Sequence, residues 1–370
     1  MKFIFTSYVS SPEFNQPEDW LKRINGYTGI LESLSTTNTV IGIERINYNG
    51  VYNQNGVTYY FTRLKNKKNY FPWRLHRLIK KLKPDVVFIN GFIFPLQIIQ
   101  LRLTLGNSIR IIVLHRAERP FLGVKKYFQK LADRCVNAYL FTSAEFGRRW
   151  MESGIIKEPK KIYEVIQASS VFHAADKLIA RSALAISCSR IFLWVGRLDD
   201  NKDPLTVVKA FIEFLPFQPS SKLYMIYQSE ELLQEVINLV REDTTTADAI
   251  KFVGKVVHEQ LQNWYNSVDF IISGSHYEGS GVAVCEAMSC GCIPVVTNIA
   301  SFRKMTGPGK CGLLYKPGSH KDLLAVLLQT IELNFEKERE KTLEQFENEL
   351  SFKAIARKIN GVVTSLYQIN

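Results

Sequence analysis

The feature that most constrains this chain is a repeated alternation of short apolar segments with longer segments of helical periodicity. In the first half, the strand-like segments are almost wholly apolar, and segments with helical spacing lie between many of them. Strands of this kind belong to parallel sheets whose two faces are both covered by helices. The pattern predicts a Rossmann-like domain with strands at residues 2–7, 40–46, 57–61, 86–89, 109–114, 138–141 and 162–166.

A second series of the same kind begins near residue 191. Its expected strands cover residues 191–195, 222–226, 250–253, 270–273 and 293–296, with helices among them at 204–214, 230–241 and 282–290. Polar and small residues at 173–188 are typical of a linker. A chain of 370 residues is long enough for two domains of comparable size. We therefore predict domains at residues 1–180 and 181–350, and a C-terminal helix at 351–370 that can pack back on the first domain.

The net charge of +12 is concentrated in the first half of the chain. Residues 1–180 contain 27 Lys and Arg against 13 Asp and Glu, whereas residues 181–370 contain 20 against 22. A basic half predicts an anionic partner such as a membrane surface, a lipid phosphate or an acidic glycan. Nucleic acid is disfavoured because no zinc finger, RNP motif or helix-turn-helix signature accompanies the charge.

Targeting, membrane-spanning and metal-binding signals are weak. The apolar run at the N-terminus stops at Thr6, and the most apolar stretch, at 86–105, is interrupted by polar residues. We therefore expect a cytoplasmic protein that has no membrane span. Cys285, Cys290 and Cys292 lie close together, but no second Cys or His cluster stands at a zinc-site spacing. Reduced, buried thiols are favoured over a metal site.

The first candidate binding segment, residues 196–204, follows the strand expected at 191–195. Open parallel sheets bind ligands at the carboxyl ends of their strands. Gly196 permits a tight turn, while Arg197 and Lys202 bring two cations to the start of the next helix. The segment fits a diphosphate site. The alternative is a solvated loop in which the Arg pairs with a nearby aspartate.

The second candidate segment follows the strand expected at 270–273. Its glycines let backbone N–H groups approach a ligand, and the helix that begins near Gly281 directs its positive end to the same place. Glu286 can accept both hydroxyls of a ribose, and Glu278 can reach sugar hydroxyls. For each carboxylate the alternative is a partner of the helix dipole. The residues expected to contact the nucleotide are Gly196, Gly279, Ser280, Gly281, Val282 and Glu286.

Together the two segments resemble the group 1 glycosyltransferases of family 4. The resemblance is carried by Gly-Arg-Leu-x3-Lys-Asp-Pro at 196–204, by Glu278-x7-Glu286 followed directly by Ala-Met-x2-Gly-x2-Pro-Val-Val at 287–296, and by Gly-Leu-Leu-Tyr-x-Pro-Gly at 312–318. It is dense from about residue 192 to residue 317. It implies an α/β protein of the GT-B fold, with two Rossmann-like, doubly wound domains facing each other across a cleft. The N-terminal domain would bind the acceptor and the C-terminal domain the donor.

The resemblance also implies the chemistry. A retaining enzyme of this kind moves a sugar from a UDP- or GDP-linked donor to a glycan or lipid-linked acceptor, with no metal or other cofactor required. By this resemblance Glu278 contacts the donor sugar, Glu286 holds the ribose, and Arg197 and Lys202 bind the diphosphate. Prepositioned cations and N–H groups stabilise the charge that develops on the leaving diphosphate. That phosphate can accept the acceptor's proton; a double displacement with Glu278 as nucleophile is the alternative.

His115 follows the strand expected at 109–114, where relatives often carry a histidine in the sugar pocket. We group it with Glu278, Arg197 and Lys202 as catalytic, with Glu118 as a second candidate nearby. The alternative for His115 is a packed core or loop residue. The turn after the first strand contains no Gly, which departs from the family pattern and leaves the acceptor's identity open.

A segment that mixes basic and aromatic residues covers residues 63–74 and is continued by Arg77, Lys80, Lys81 and Lys83. Such a mixture is typical of elements that lie on an anionic membrane surface. It predicts peripheral association with the inner face of the cell membrane. The alternative is a helix that faces the core and has a solvated basic side.

Two other functions fit the same residues. One is a sugar-nucleotide epimerase or hydrolase on the same fold, and the other is a non-catalytic protein that binds anions or membranes through its basic half. We favour a glycosyltransferase of cell-surface polysaccharide or glycolipid synthesis, because both donor segments are intact.

Overall fold

The computed structural model describes residues 1–63, 71–187, 190–241 and 248–368. The chain forms two compact units. Unit 1 comprises Met1–Ser169 and Phe352–Asn370, and unit 2 comprises Ser170–Ser351.

Unit 1 contains a sheet flanked by helices. Its strands are β1 (Lys2–Ser7), β2 (Thr39–Glu44), β3 (Gly50–Gln54), β4 (Val57–Phe61), β5 (Val86–Asn90), β6 (Arg110–Leu114), β7 (Ala138–Phe141) and β8 (Ile162–Glu164). Its first helices are α1 (Pro17–Arg23), α2 (Asn25–Ser35), α3 (Trp73–Leu82), α4 (Pro95–Leu105), α5 (Gly123–Asp133) and α6 (Ala144–Glu152).

Unit 2 repeats the alternation. Its strands are β9 (Arg190–Gly196), β10 (Ser221–Tyr227), β11 (Ile250–Gly254), β12 (Phe270–Ser273), β13 (Ile293–Thr297) and β14 (Leu313–Tyr315). Its helices are α7 (Lys177–Ala183), α8 (Pro204–Phe214), α9 (Leu233–Arg241), α10 (Leu261–Ser267), α11 (Val282–Ser289), α12 (Ala300–Met305), α13 (His320–Gln329) and α14 (Phe335–Gln345). A π-helical turn at Phe346–Leu350 ends the unit, and α15 (Phe352–Gln368) returns to unit 1.

The strand order of unit 1, within the described residues, is β3-β4-β2-β1-β5-β6-β7-β8. All pairs are parallel except β3 with β4, which form an antiparallel hairpin. The hairpin turns at Asn55 and Gly56, whose φ angles of 48° and 81° suit a tight Asn-Gly turn. The sequence prediction missed β3, because its alternately exposed, polar residues lack the apolar run that marks the other strands.

The strand order of unit 2 is β11-β10-β9-β12-β13-β14, and its strands pair in parallel. Counted from β9, this is the order 3-2-1-4-5-6 of dinucleotide-binding folds. Its core contains Phe192, Phe211, Phe214 and Phe270, with Phe192 and Phe270 stacked on adjacent strands at a centroid distance of 4.8 Å. The prediction of two α/β domains built on parallel sheets is confirmed.

The division between the units differs from the predicted boundary at residue 180. Residues 173–188, expected to be a linker, contain α7, which belongs to unit 2. Lys177 Nζ lies 2.7 Å from Asp269 Oδ1, and Arg181 Nη2 lies 3.1 Å from Asp269 Oδ2. These ion pairs join α7 to unit 2, and the chain changes unit between Ser169 and Ser170.

The last helix, α15, lies against the core of unit 1. Its buried side chains include Ile355 and Ile359, which share a cluster with Leu31 and Leu34 of α2. Asn38 Nδ2 donates to Asn360 Oδ1 at 3.0 Å. None of the helices in the described ranges combines the length and apolar character that crossing a bilayer requires.

Candidate functional site

The strand order of unit 2 brings the two sequence-predicted segments to one place. β9 and β12 are neighbours, with Phe192 opposite Phe270 and Trp194 opposite Ile272. They lie where the strand order reverses, and open α/β sheets bind ligands outside the carboxyl ends of such strands. The loops that follow these two strands therefore begin side by side.

Hydrogen bonds join the two loops. Asn201 Nδ2 donates to the carbonyl of Tyr277 at 3.1 Å, and the amide of His276 donates to the carbonyl of Asn201 at 2.8 Å. His276 Nε2 also lies 3.0 Å from Asp203 Oδ2. Asp203 caps α8 by accepting from the amide of Thr206, so these contacts tie the second loop to the start of that helix.

Gly274 allows the two backbones to approach closely. A Cβ at this position would lie 2.8 Å from the carbonyl oxygen of Asp203 and 2.9 Å from that of Lys202. Real Cβ atoms do not come this near to backbone oxygens without a shift of the backbone. The site thus requires glycine at the first residue after β12.

Lys202 and Glu278, both predicted as site residues, form an ion pair between Nζ and Oε1. Ser275 Oγ donates to the same carboxylate oxygen at 2.7 Å. The side chains of Lys202 and Glu278 are 23% and 14% exposed, so the pair is screened less than a surface pair. The sequence did not identify Ser275 as a site residue, although it lies in the second candidate segment, after the strand expected at 270–273.

Arg197 lies in the same loop but is more exposed. Its Nη2 is 3.0 Å from Asp199 Oδ2, and its side chain is 63% exposed. This is the aspartate pairing considered above as the alternative. An exposed pair contributes little free energy, so Arg197 can exchange Asp199 for a ligand anion at small cost. Its role in binding a diphosphate stays a prediction.

The start of α11 completes this edge of the site. Gly279 and Ser280 lie in the bend before the helix, and Gly281 at its N-cap has φ of +52°, where a Cβ would meet the ring of Phe302 at 2.6 Å. Since glycine supplies no capping side chain, the first-turn N–H groups stay available to a ligand. Val282, the first helical residue, is 54% exposed, so this helix end lies at the surface.

Glu286 is buried within α11, and two side chains orient its carboxylate. Oε1 lies 2.7 Å from His258 Nε2, and Oε2 accepts from the hydroxyl of Tyr265 at 3.1 Å. Burial and the adjacent Glu286 raise the pKa of Tyr265 well above its usual value, so this hydroxyl stays a donor. The ring of Phe172 packs against His258 at a centroid distance of 4.8 Å. No local sequence signal marks these partners, because they come from distant parts of the fold.

His115 belongs to unit 1 and is buried at the end of β6. Its Nε2 lies 3.0 Å from the carbonyl of Glu118, and its Nδ1 accepts from the amide of Ala117 at 3.3 Å. Burial lowers its pKa, which favours a neutral ring with the proton on Nε2. The carboxylate of Glu118 accepts from the amides of Phe92 and Arg116. The local contacts match a packed loop residue, and a role for His115 in a sugar pocket stays a prediction.

In the described ranges, no three or more His, Cys, Asp or Glu side chains are grouped so as to hold a metal. Cys285, Cys290 and Cys292 are buried thiols that form no disulfide. Burial raises the pKa of Cys290 to about 12, so this thiol is protonated at neutral pH.

Residues 177–348 match the family described as "Glycosyl transferases group 1". The chain is 28% identical over 145 residues to a D-inositol 3-phosphate glycosyltransferase of Paenarthrobacter aurescens, covering 38% of this chain and 36% of that relative. It is 27% identical over 144 residues to a lipopolysaccharide core biosynthesis mannosyltransferase of Rhizobium meliloti, covering 36% and 39%. The matches thus span little more than a third of the length of these relatives.

Solved structures extend the comparison to the whole chain. The sucrose-phosphate synthase of Thermosynechococcus elongatus superposes with a TM-score of 0.70 at 17% identity, covering 100% of both chains. HepE of Anabaena, in complex with UDP and glucose, superposes with a TM-score of 0.70 at 13% identity, covering 99% of this chain and 100% of HepE. The fold is therefore the GT-B fold, and the match to the group 1 glycosyltransferases covers residues 177–348, somewhat less than half of the chain.

Replacing Gly274 tests whether the close approach of the loops is essential. We expect Gly274→Ala to lower the free energy of unfolding by about 1–3 kcal/mol, the usual range for inserting an atom into a packed position. Differential scanning calorimetry measures the change. Gly361→Ala in α15 is the control, because no atom lies within 4 Å of its added Cβ. An unchanged melting temperature for Gly274→Ala would contradict the close approach.

Proposed function

We propose that this chain is a retaining glycosyltransferase. It transfers a sugar from a nucleotide diphosphate sugar, UDP- or GDP-linked, to a hydroxyl group of a glycan or lipid-linked acceptor, and it requires no metal or other cofactor. The observation that carries the proposal is the convergence of Lys202, Glu278 and the start of α11 at the reversal of strand order in unit 2.

The relatives support the substrate class. HepE has UDP and glucose bound. One curated relative, from Xanthomonas oryzae, is named GDP-mannose:cellobiosyl-diphosphopolyprenol alpha-mannosyltransferase, and another acts in lipopolysaccharide core biosynthesis. We therefore propose a role in the synthesis of a cell-surface polysaccharide or glycolipid.

The leaving group determines what the site must do. Cleavage of the glycosyl phosphate bond develops negative charge on the diphosphate. Positively charged groups stabilise this charge more strongly in the transition state than in the ground state. Lys202, Arg197 and the first N–H groups of α11 supply that charge. A phosphate oxygen of the leaving group takes the proton of the acceptor hydroxyl, so the reaction does not depend on a protein base.

Glu278 and Glu286 bind different parts of the donor. Glu286 is held by two side chains in a fixed orientation, which suits a carboxylate that accepts the two hydroxyls of a ribose. Oε1 of Glu278 accepts from Ser275 and pairs with Lys202, so two donors already engage this oxygen. A carboxylate oxygen engaged by donors is a weaker nucleophile, which favours a role in binding sugar hydroxyls over a double displacement.

Nucleotide binding gives the direct test. Saturating UDP or GDP should raise the melting temperature of the wild type, by the equivalent of about 2.7 kcal/mol at one hundred times Kd. Glu286→Ala should abolish the shift, because the ribose loses its acceptor. Glu340→Gln, an exposed position on α14, serves as the control and should keep it. If neither UDP nor GDP raises the melting temperature of the wild type, the proposal fails.

Lys202 tests the chemical step. With the nucleotide sugar found by such binding measurements, Lys202→Met should lower kcat roughly 100-fold or more, the usual cost of removing a group that stabilises an anion in the transition state. Release of the nucleoside diphosphate measures turnover. Lys209→Met, on the exposed side of α8, is the matched control and should turn over like the wild type. Equal rates in both variants would remove Lys202 from the mechanism.

The products separate the competing activities. A transferase releases nucleoside diphosphate and gives a glycoside with the donor's anomeric configuration, which NMR coupling constants report. An epimerase would convert the donor sugar without releasing the nucleotide, and a hydrolase would release free sugar in the presence of acceptor. Either of the last two results would contradict transfer.

We also propose that unit 1 docks on an anionic membrane surface through the start of α3. Phe71 and Trp73 are 62% and 55% exposed, and their rings stack at a centroid distance of 6.4 Å. Arg74 and Arg77 are exposed beside them. Exposed aromatic rings next to cations suit the interface of an anionic bilayer. The rest of the basic segment, residues 64–70, lies outside the described residues.

Sedimentation with vesicles tests this docking. The wild type should sediment with vesicles that contain phosphatidylglycerol and remain in the supernatant with purely zwitterionic vesicles. Replacing both Phe71 and Trp73 by Ser should lower the bound fraction several-fold, because the apolar anchor is lost. Phe217→Ser, an equally exposed aromatic residue of unit 2, should bind like the wild type. Loss of binding in this control alone would contradict docking through α3.

A further inference from the structure

Arg45 is a buried cation in unit 1, and two of its three guanidinium nitrogens have no hydrogen-bond partner among the described residues. It follows β2 directly and is 3% exposed. Its Nε and Nη1 are buried and make no hydrogen bond to the described part of the chain. Its carbonyl accepts from the amide of Ser11 at 2.8 Å, so the backbone is held by a hydrogen bond while Nε and Nη1 of the guanidinium are not.

Two other buried polar groups lie beside this guanidinium. Its central carbon is 5.7 Å from the centroid of the Tyr8 ring, and the hydroxyl of Tyr8 lies 3.0 Å from His76 Nε2. His76 is completely buried in α3, and its Nδ1 has no partner among the described residues. Burial and the charge of Arg45 lower the pKa of His76 to about 4, so the ring is neutral. The Tyr8 hydroxyl can donate to His76 Nε2 or to the carbonyl of Gln97, 3.4 Å away. When it donates to the nearer Nε2, the imidazole proton lies on Nδ1, which is then a further donor without a partner among the described residues.

The position of this cluster within unit 1 matches that of a ligand site. The order β4-β2-β1-β5-β6-β7 repeats the 3-2-1-4-5-6 order, so the strand order reverses between β1 and β5. Tyr8 follows β1 and Arg45 follows β2, both at the carboxyl edge of the sheet. Open parallel sheets bind ligands at this edge.

No carboxylate of the described residues neutralises Arg45. The preceding Glu44 is buried, but successive side chains of a strand point to opposite faces, and the Glu44 carboxylate accepts from Trp20 Nε1 at 3.0 Å. A guanidinium keeps its charge at neutral pH, and burying a charge is costly unless it is paired. A ligand that brings a negative group supplies the missing partner.

We propose that Arg45, with Tyr8 and His76, forms a binding site in unit 1 for an oxyanion, a phosphate or carboxylate group carried by the acceptor. A side chain this enclosed can meet only a small group, so it recognises the charged group and not the sugar ring. That the anion belongs to the acceptor rests on the proposed function; binding of the anion itself does not.

Binding to the intact chain tests the site. The probes are inorganic phosphate, glucose 6-phosphate and glucuronate at constant ionic strength, with glucose as the neutral control, and melting temperature is the readout. At least one oxyanion should stabilise the wild type while glucose does not, and the phosphate and carboxylate probes identify the preferred group. Arg45→Met should weaken that binding at least ~10-fold, as expected for losing hydrogen bonds to a charged group. Arg23→Met, an exposed arginine of α1, should bind like the wild type.

The stability of the variants without ligand gives a second readout. Met keeps the length of the arginine stem and removes an unpaired buried charge, so Arg45→Met should melt at or above the temperature of the wild type. A lower melting temperature, or failure to fold, would mean that the guanidinium has a structural partner and would overturn the proposal. Arg45→Lys keeps the charge but loses the planar donors, and it should also bind the oxyanion more weakly.

Two results separate this proposal from the proposed function. If no oxyanion stabilises the wild type, or Arg45→Met responds as strongly as the wild type, the anion site in unit 1 is wrong. The second result would assign the binding to another part of the chain. UDP or GDP should still raise the melting temperature of Arg45→Met, because Glu286, the proposed ribose contact, lies in unit 2 and Arg45 lies in unit 1. Oxyanion binding that depends on Arg45, without any nucleotide shift, would reject the transferase and retain the site.

Discussion

The close approach of two backbones at the junction of β9 and β12 governs the candidate site in unit 2. Gly274 lets the chain after β12 lie against the carbonyls of Lys202 and Asp203, and the hydrogen bonds of Asn201 hold it there. The ion pair of Lys202 with Glu278 depends on this contact. The strand order makes β9 and β12 neighbours. Glycine at position 274 then allows a backbone contact that a Cβ would prevent.

Much of the fold was predictable, because buried parallel strands leave a strong apolar signal in sequence. β3 was missed because it lies at an edge and alternates between exposed and half-buried residues, although Asn55-Gly56 marks a hairpin turn. α7 was missed for a different reason. It has only seven residues, too few to show a helical period, and Asp269, which is distant in sequence, holds it to unit 2. Local patterns do not report such long-range ion pairs.

Part of the candidate site was predictable, because loops that follow strands of a parallel sheet lie at the same edge of that sheet. Lys202 and Glu278 do meet, and Glu286 lies in α11 as expected. The groups that orient Glu286, His258 and Tyr265, could not be predicted, since only tertiary packing brings them to the carboxylate. The same limit applies to Arg45. Its Nε and Nη1 have no hydrogen-bond partner among the described residues, and no sequence pattern encodes this.

The return of α15 to unit 1 has a consequence for biosynthesis. Unit 2 is an uninterrupted stretch of chain, whereas unit 1 is closed by a helix that follows it. On the ribosome, unit 2 can therefore finish folding while the apolar groove around Leu31 and Leu34 still awaits Ile355 and Ile359. During that interval the nascent unit 1 exposes the apolar side chains that α15 later covers.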